Sequence, residues 1–208
     1  TLFATAFRMG IEPFFFSHAK TQNPQKAYAV ITQYFVLFGS VIFLAVVVFS
    51  DLLKELLIRN SDYWEAMSVV PIILLASFFL GIYHNLSVWY KVTDQTHYGA
   101  YISLLGAAIT LSVNYLFIPT MGYYAAAIAT LAAYGTMMVA SYLLGRKKYP
   151  IPYPLARMSV YIIATVTFAG TSFYVFPGSL WVGVPLFLLF VLTLAYFEYK
   201  NFKKMLIP

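Results

Sequence analysis

The sequence contains no cysteine. That excludes disulfides, thiol catalysis and cysteine-ligated metal, and it leaves the redox compartment open. Charge is nearly as scarce. Only 10% of the 208 residues are charged, where a soluble domain carries about 25%. Histidine occurs three times, at His18, His84 and His97, with no clustering. No acid pair, Gly-rich phosphate loop or HExxH-type spacing occurs. The residues therefore offer no catalytic set, no metal ligands and no cofactor site, and point away from an enzyme.

What fills the chain instead is apolar. Hydrophobic residues make up 62% and aromatic residues 19%, with 18 Tyr and 19 Phe. Such a chain cannot face water over most of its surface, so it is expected to be an integral membrane protein. Tyr at helix ends fits the interfacial aromatic belt. The net charge of +6 is read as basic loops on the cytoplasmic side rather than as a nucleic-acid footprint. The expected fold class is all-α: a polytopic transmembrane bundle of about seven spans, with residues 1–208 as a single transmembrane domain.

The first apolar residues follow Thr1 directly, with no Met, basic n-region or cleavage site before them. The chain is thus expected to enter in mid-helix, as the C-terminal portion of a longer protein. Its first segment, TLFATAFRMGIEPFFFSH, carries Arg8 and Glu12 four residues apart, on one helix face and close enough to pair. Gly10 and Pro13 weaken the helix around them. A charge at membrane depth must face the bundle or a water-filled cavity. Two readings stand: a pair lining a translocation cavity, or a pair near the cytoplasmic end that snorkels to the headgroups and anchors the helix.

After the polar loop SHAKTQNPQK, a charge-free helix is expected over roughly 29–50. Residues 51–65 hold four acidic residues against Lys54 and Arg59, with Leu and Ile at helical spacing; they read as a periplasmic amphipathic surface helix. The next span covers roughly 67–90, with Pro71 tolerated in its first turn and His84 and Asn85 near its far end. His84 is a relay or, more simply, an interfacial residue with one partner. The loop 91–97 is short and polar.

The hairpin NYLFIPTMGYYAAAIAT, residues 114–130, organises the middle of the chain. Ile118-Pro119 is expected to stop the first helix, Gly122 to make the turn, and Ala125, Ala126, Ala127 and Ala129 to let another helix approach closely. Asn114 either contacts substrate or ties two helices together. GRKKYPIPYP, with residues 145–155 as a cytoplasmic Pro-rich linker, precedes the last two spans, roughly 155–175 and 180–199.

Orientation follows from the basic residues. Lys20, Lys26, Lys91, Arg146, Lys147, Lys148, Arg157, Lys200, Lys203 and Lys204 fall on one set of loops, Lys54 and Arg59 on the other: ten against two. The positive-inside rule then puts the C-terminus in the cytoplasm.

FRMGIEPFFFSHAK, a following YF-containing helix, and above all NYLFIPTMGYYAAAIATLAAYG resemble the C-terminal half of bacterial polysaccharide-export flippases of the multidrug/oligosaccharidyl-lipid/polysaccharide exporter superfamily. The resemblance runs from about residue 3 to 145, and Tyr124 stands where that family commonly has glycine. It implies one lobe of a two-lobe exporter whose N-terminal lobe is missing from this chain. It also implies a bacterial inner (plasma) membrane location. The implied activity moves undecaprenyl-pyrophosphate-linked oligosaccharide repeats across the bilayer for O-antigen, lipopolysaccharide or capsule biosynthesis. The implied partners are that lipid-linked oligosaccharide and membrane lipid, with no nucleic acid. Its anionic pyrophosphate calls for a cavity cation, which makes Arg8, with Glu12 and Asn114, the candidate substrate-binding residues. Rival expectations are a multidrug or ion antiporter of the same superfamily, marked by acidic residues within helices, and a membrane polysaccharide polymerase or acyltransferase.

Overall fold

The computed structural model describes residues 2–18, 23–58 and 64–206. All regular structure among them is helical: α1 (Leu2–His18), α2 (Pro24–Val48), α3 (Ser50–Leu57), a 3₁₀ turn (Glu65–Val69), α4 (Val70–Leu86), α5 (Val88–Val92), α6 (His97–Met121), α7 (Tyr123–Lys148), α8 (Leu155–Gly170) continued by a π turn (Thr171–Val175), and α9 (Leu180–Leu206). Among the described residues six stretches are long and apolar enough to cross a membrane: Pro24–Val48, Glu65–Val92, His97–Met121, Tyr123–Lys148, Leu155–Val175 and Leu180–Tyr199. With α1 they make the expected polytopic bundle.

The residues divide into two compact units. The first comprises residues 1–39 and 66–158; the second comprises 40–65 and 159–208.

In the first unit α7 is the common partner, packed on one side by α4 and on the other by α6. The contact face of α7 recurs every fourth residue: Ala125, Ala129, Ala133, Met137, Ser141 and Gly145 are all buried, and Ala127 joins them. Rows four residues apart form the ridges that interdigitate between helices, and small residues keep the ridge low enough for a neighbouring backbone. Ala126, expected on this face, is exposed. The helices meet closely at three glycines. A Cβ on Gly106 would lie 2.4 Å from Met137 Sδ, one on Gly39 2.4 Å from Phe78, and one on Gly145 2.7 Å from Trp89.

The α6–α7 hairpin is tighter than the sequence predicts. α6 does not stop at Ile118 but continues through Pro119 to Met121, leaving Gly122 as the whole link. Proline at 119 forfeits one helical donor in the final turn, where the bonds are few in any case. Gly122 sits at φ +55°, ψ −134°, with its amide donating to Ile118 O at 2.9 Å. Nothing lies within 4 Å of a Cβ built there, so the backbone angle, not space, requires glycine.

The linker after α7 is not a solvated loop. Tyr149 and Ile151 pack onto a buried group formed by Phe15, Tyr28 and Val88, and onto a second one around Trp89. Burial pushes the Tyr149 phenol above its ordinary range, so it stays neutral and adds no charge there.

In the second unit α8 and α9 form a hairpin. Phe168 and Phe190 meet edge to face at 5.9 Å, and Tyr161, itself buried, donates to Glu198. Phe49 packs on Phe187. Gly183 sits where a Cβ would lie 2.9 Å from Val48 and 3.0 Å from Ser172 Oγ, so α9 crosses the end of α2 and the π turn closely. The acidic segment forms a helix over Ser50–Leu57, with Leu52 and Leu56 exposed. Ile58 is extended, Lys54 bonds Asp51 at 2.8 Å, and its ammonium lies 4.8 Å from the Trp64 ring. Arg59 and Asp62 of that segment, and Lys20 of the first loop, lie outside the described residues.

Candidate functional site

A single residue, Ser87, separates α4 from α5. Its hydroxyl donates to His84 O at 2.6 Å, and its amide makes the ordinary helical bond to Tyr83 O at 2.8 Å. The extra turn, α5, carries Lys91 over α1. His84, Val88 and Lys91 thus share one face at spacings of four and three. Trp89 anchors the turn from behind, 1% exposed, donating from Nε1 to Ser141 O of α7 at 3.2 Å. Tyr83 and Tyr90 join it through their hydroxyls, 3.0 Å apart.

α1 is held from its other side. Tyr28 of α2, fully buried, donates to Phe15 O at 2.9 Å, and the two rings meet edge to face. Phe15 packs with Val88. These contacts leave a small cleft between α1 and α4–α5. Ile11, Phe15 and Val88 form its apolar wall, and Arg8, Glu12, His84, Asn85 and Lys91 its polar one.

The polar wall is not arranged as the Arg8–Glu12 spacing predicts. Glu12 Oε1 accepts from Lys91 Nζ, an ion pair that bridges α1 and α5. Among the described residues Arg8 forms no ion pair with Glu12. It lies within electrostatic reach of Glu12 and His84, yet its Nε is buried with no hydrogen-bond partner. Asn85, 4% exposed, donates from Nδ2 to Gly81 O at 3.0 Å and leaves Oδ1 buried and unbonded. Arg8 and Lys91 against Glu12 leave the cleft with one excess positive charge before His84 is counted. It is therefore suited to an anion.

Of the expected site residues, the structure brings Arg8 and Glu12 into one cleft. Asn114 does not line it. It stands 17 positions along α6 from His97, roughly 25 Å at 1.5 Å per residue. The Asn114 Oδ1 is buried without a partner, so that oxygen makes no interhelical tie. In sequence Lys91 and Asn85 are loop and helix-end residues; the seven-residue step from His84 to Lys91 is the signal that places Lys91 on the cleft. Among the described residues no group of His, Asp and Glu could hold a metal.

No curated protein matches the chain, and no solved structure matches it. The MatE family matches residues 3–116, more than half of the chain. The match includes the whole cleft and only the first three residues of the 114–130 run. The chain belongs to the MatE family, whose members are membrane transporters of the multidrug/oligosaccharidyl-lipid/polysaccharide exporter superfamily and not enzymes.

Proposed function

We propose that this chain is the C-terminal lobe of a flippase that moves undecaprenyl-pyrophosphate-linked oligosaccharide repeats across the bacterial inner membrane for O-antigen or capsule assembly. The observation that carries the reading is the Arg8 guanidinium: a cation in a cleft with its Nε buried and unpartnered. A buried donor on a cationic side chain is costly to leave unbonded, as is a charge at membrane depth. It is retained where an anion arrives to meet it. A phosphate suits the guanidinium, whose planar fork gives two parallel donors to two oxygens.

The cleft belongs to the basic, cytoplasmic side in this reading. Lys91 and the exposed Arg146–Lys148 cluster mark that side, and the lipid-linked substrate is made there. The lipid tail stays beside the apolar helices while the headgroup is passed through a polar path between two lobes that rock. Asn114, near the opposite end of α6, is a polar group on that path. With Glu12 neutralised by Lys91, the cleft lacks a free carboxylate for ion coupling, which weighs against the antiporter reading.

The test is glycan export in cells carrying full-length Arg8→Ala, Arg8→Lys and Glu12→Gln proteins at matched membrane levels, with drug efflux measured in parallel. Arg8→Ala is expected to lower export at least tenfold and Arg8→Lys to keep part of it. Normal export by a folded Arg8→Ala protein, or efflux that tracks these variants, would sink the flippase reading.

A further inference from the structure

The cleft holds two unpaired atoms of opposite character. Arg8 Nε is a donor; Asn85 Oδ1 is an acceptor; each is buried and neither has a partner. The Asn85 amide cannot simply be turned around, because its Nδ2 is committed to Gly81 O at 3.0 Å and an oxygen in that place would face another oxygen. Its acceptor therefore stays on offer, 4% exposed, in the wall that also contains Arg8. A buried polar atom left unbonded is costly, and a ligand that supplies both complements satisfies the two at once. A bare oxyanion satisfies Arg8 and repels Asn85 Oδ1. The complement is an anion with a donor beside it.

Resting on the flippase reading, we infer that Asn85 is a second binding residue of this cleft. It accepts a hydrogen bond from a hydroxyl or amide N–H on the sugar attached to the phosphate that Arg8 holds. A pyrophosphate diester has no proton of its own to give, so the donor must come from the first sugar. Asn85 then reads the phosphate–sugar junction, and a lipid diphosphate without a sugar leaves Oδ1 empty.

The experiment uses the full-length protein in detergent at pH 8, where a phosphate monoester carries no proton. Two probes are titrated: glucose 1-phosphate, which has hydroxyls beside its phosphate, and dimethyl phosphate, which has none. The variants are Asn85→Leu, Asn85→Asp and Arg8→Gln. Asn85→Leu is expected to weaken glucose 1-phosphate by about tenfold, the worth of one hydrogen bond, and to leave dimethyl phosphate unchanged. Asn85→Asp keeps an acceptor but adds a negative charge near Arg8, and is expected to weaken both probes. Arg8→Gln is expected to abolish both.

If Asn85→Leu weakens the two probes equally, or weakens neither, the inference about Asn85 is wrong while the phosphate site stands. If Arg8→Gln binds dimethyl phosphate normally, the phosphate site itself is wrong. Should Asn85→Leu fail to fold, wild-type and Asn85→Asp binding decide: equal affinity of the wild type for the two probes overturns the inference, and a preference for glucose 1-phosphate that survives in Asn85→Asp, which keeps the acceptor while weakening both probes, supports it.

Discussion

Gly145 lies directly against the indole of Trp89, so that a Cβ at 145 would stand 2.7 Å from Cδ1 and 2.9 Å from Nε1. The indole cannot move aside, because its N–H is fixed to Ser141 O one turn earlier on the same helix. Gly106 is equally crowded, with a Cβ 2.4 Å from Met137 Sδ, but methionine has three rotatable bonds and yields. Gly145→Ala is therefore expected to lower the unfolding temperature in detergent by more than Gly106→Ala does. The cost at 145 falls in the range of about 1–3 kcal/mol for overpacking. Equal effects at the two positions would contradict this account of the α4–α5 junction.

The buried row on α7 makes a sharper comparison. Ala129 is 0% exposed and Ala126 is exposed. Ala129→Leu is expected to disturb folding, through the same overpacking, while Ala126→Leu leaves thermal stability and expression near wild type. The measurement is fluorescence-detected gel filtration after heating. A variant at 126 as damaged as one at 129 would place the packing face elsewhere.

The spans were legible in the sequence because runs of apolar residues with Pro and Gly at their ends are a one-dimensional signal. The phase of α7 was not. Ala125, Ala126 and Ala127 are identical side chains in a row, and a run of alanines has no apolar side to orient it. The phase is set further along, by Met137, Ser141 and Gly145. Pro119 resembles a helix stop in sequence, yet α6 runs through it, since its missing donor matters little in a last turn. At the cleft, the four-residue step from Arg8 to Glu12 was visible, but the choice of partner was not. Local spacing allows Arg8, and tertiary structure delivers Lys91 from α5.

Orientation can be read without disturbing the protein, because the native chain has no cysteine to remove. Single cysteines at Glu55, on the acidic helix α3, and at Gln95, in the turn between α5 and α6, are expected on opposite sides of the membrane. A membrane-impermeant maleimide added to intact cells should label position 55 and spare position 95. The reverse pattern would invert the topology and move the Arg8 cleft to the periplasmic side.

The Glu12–Lys91 pair has a consequence for Arg8. Glu12 is one helical turn from Arg8, a spacing at which the two side chains can pair, and it does not do so because Lys91 occupies it. Both partners of the existing pair are about one-quarter to one-third exposed, so the bridge itself stabilises the fold by no more than about 1 kcal/mol. Its larger effect is on availability. In Lys91→Gln, Glu12 is released and turns to Arg8, and the cation that meets the phosphate is neutralised. Lys91→Gln is therefore expected to lose export nearly as fully as Arg8→Ala, with little loss of stability. Lys91→Arg keeps Glu12 occupied and should retain most export. The deciding variant is the double change Glu12→Gln with Lys91→Gln, which removes the competitor along with its partner. Export restored in the double variant means that Lys91 serves to keep Glu12 off Arg8. Export as low as in Lys91→Gln alone would mean that Lys91 acts on the substrate directly or only ties α5 to α1, and that Arg8 was never in competition for Glu12.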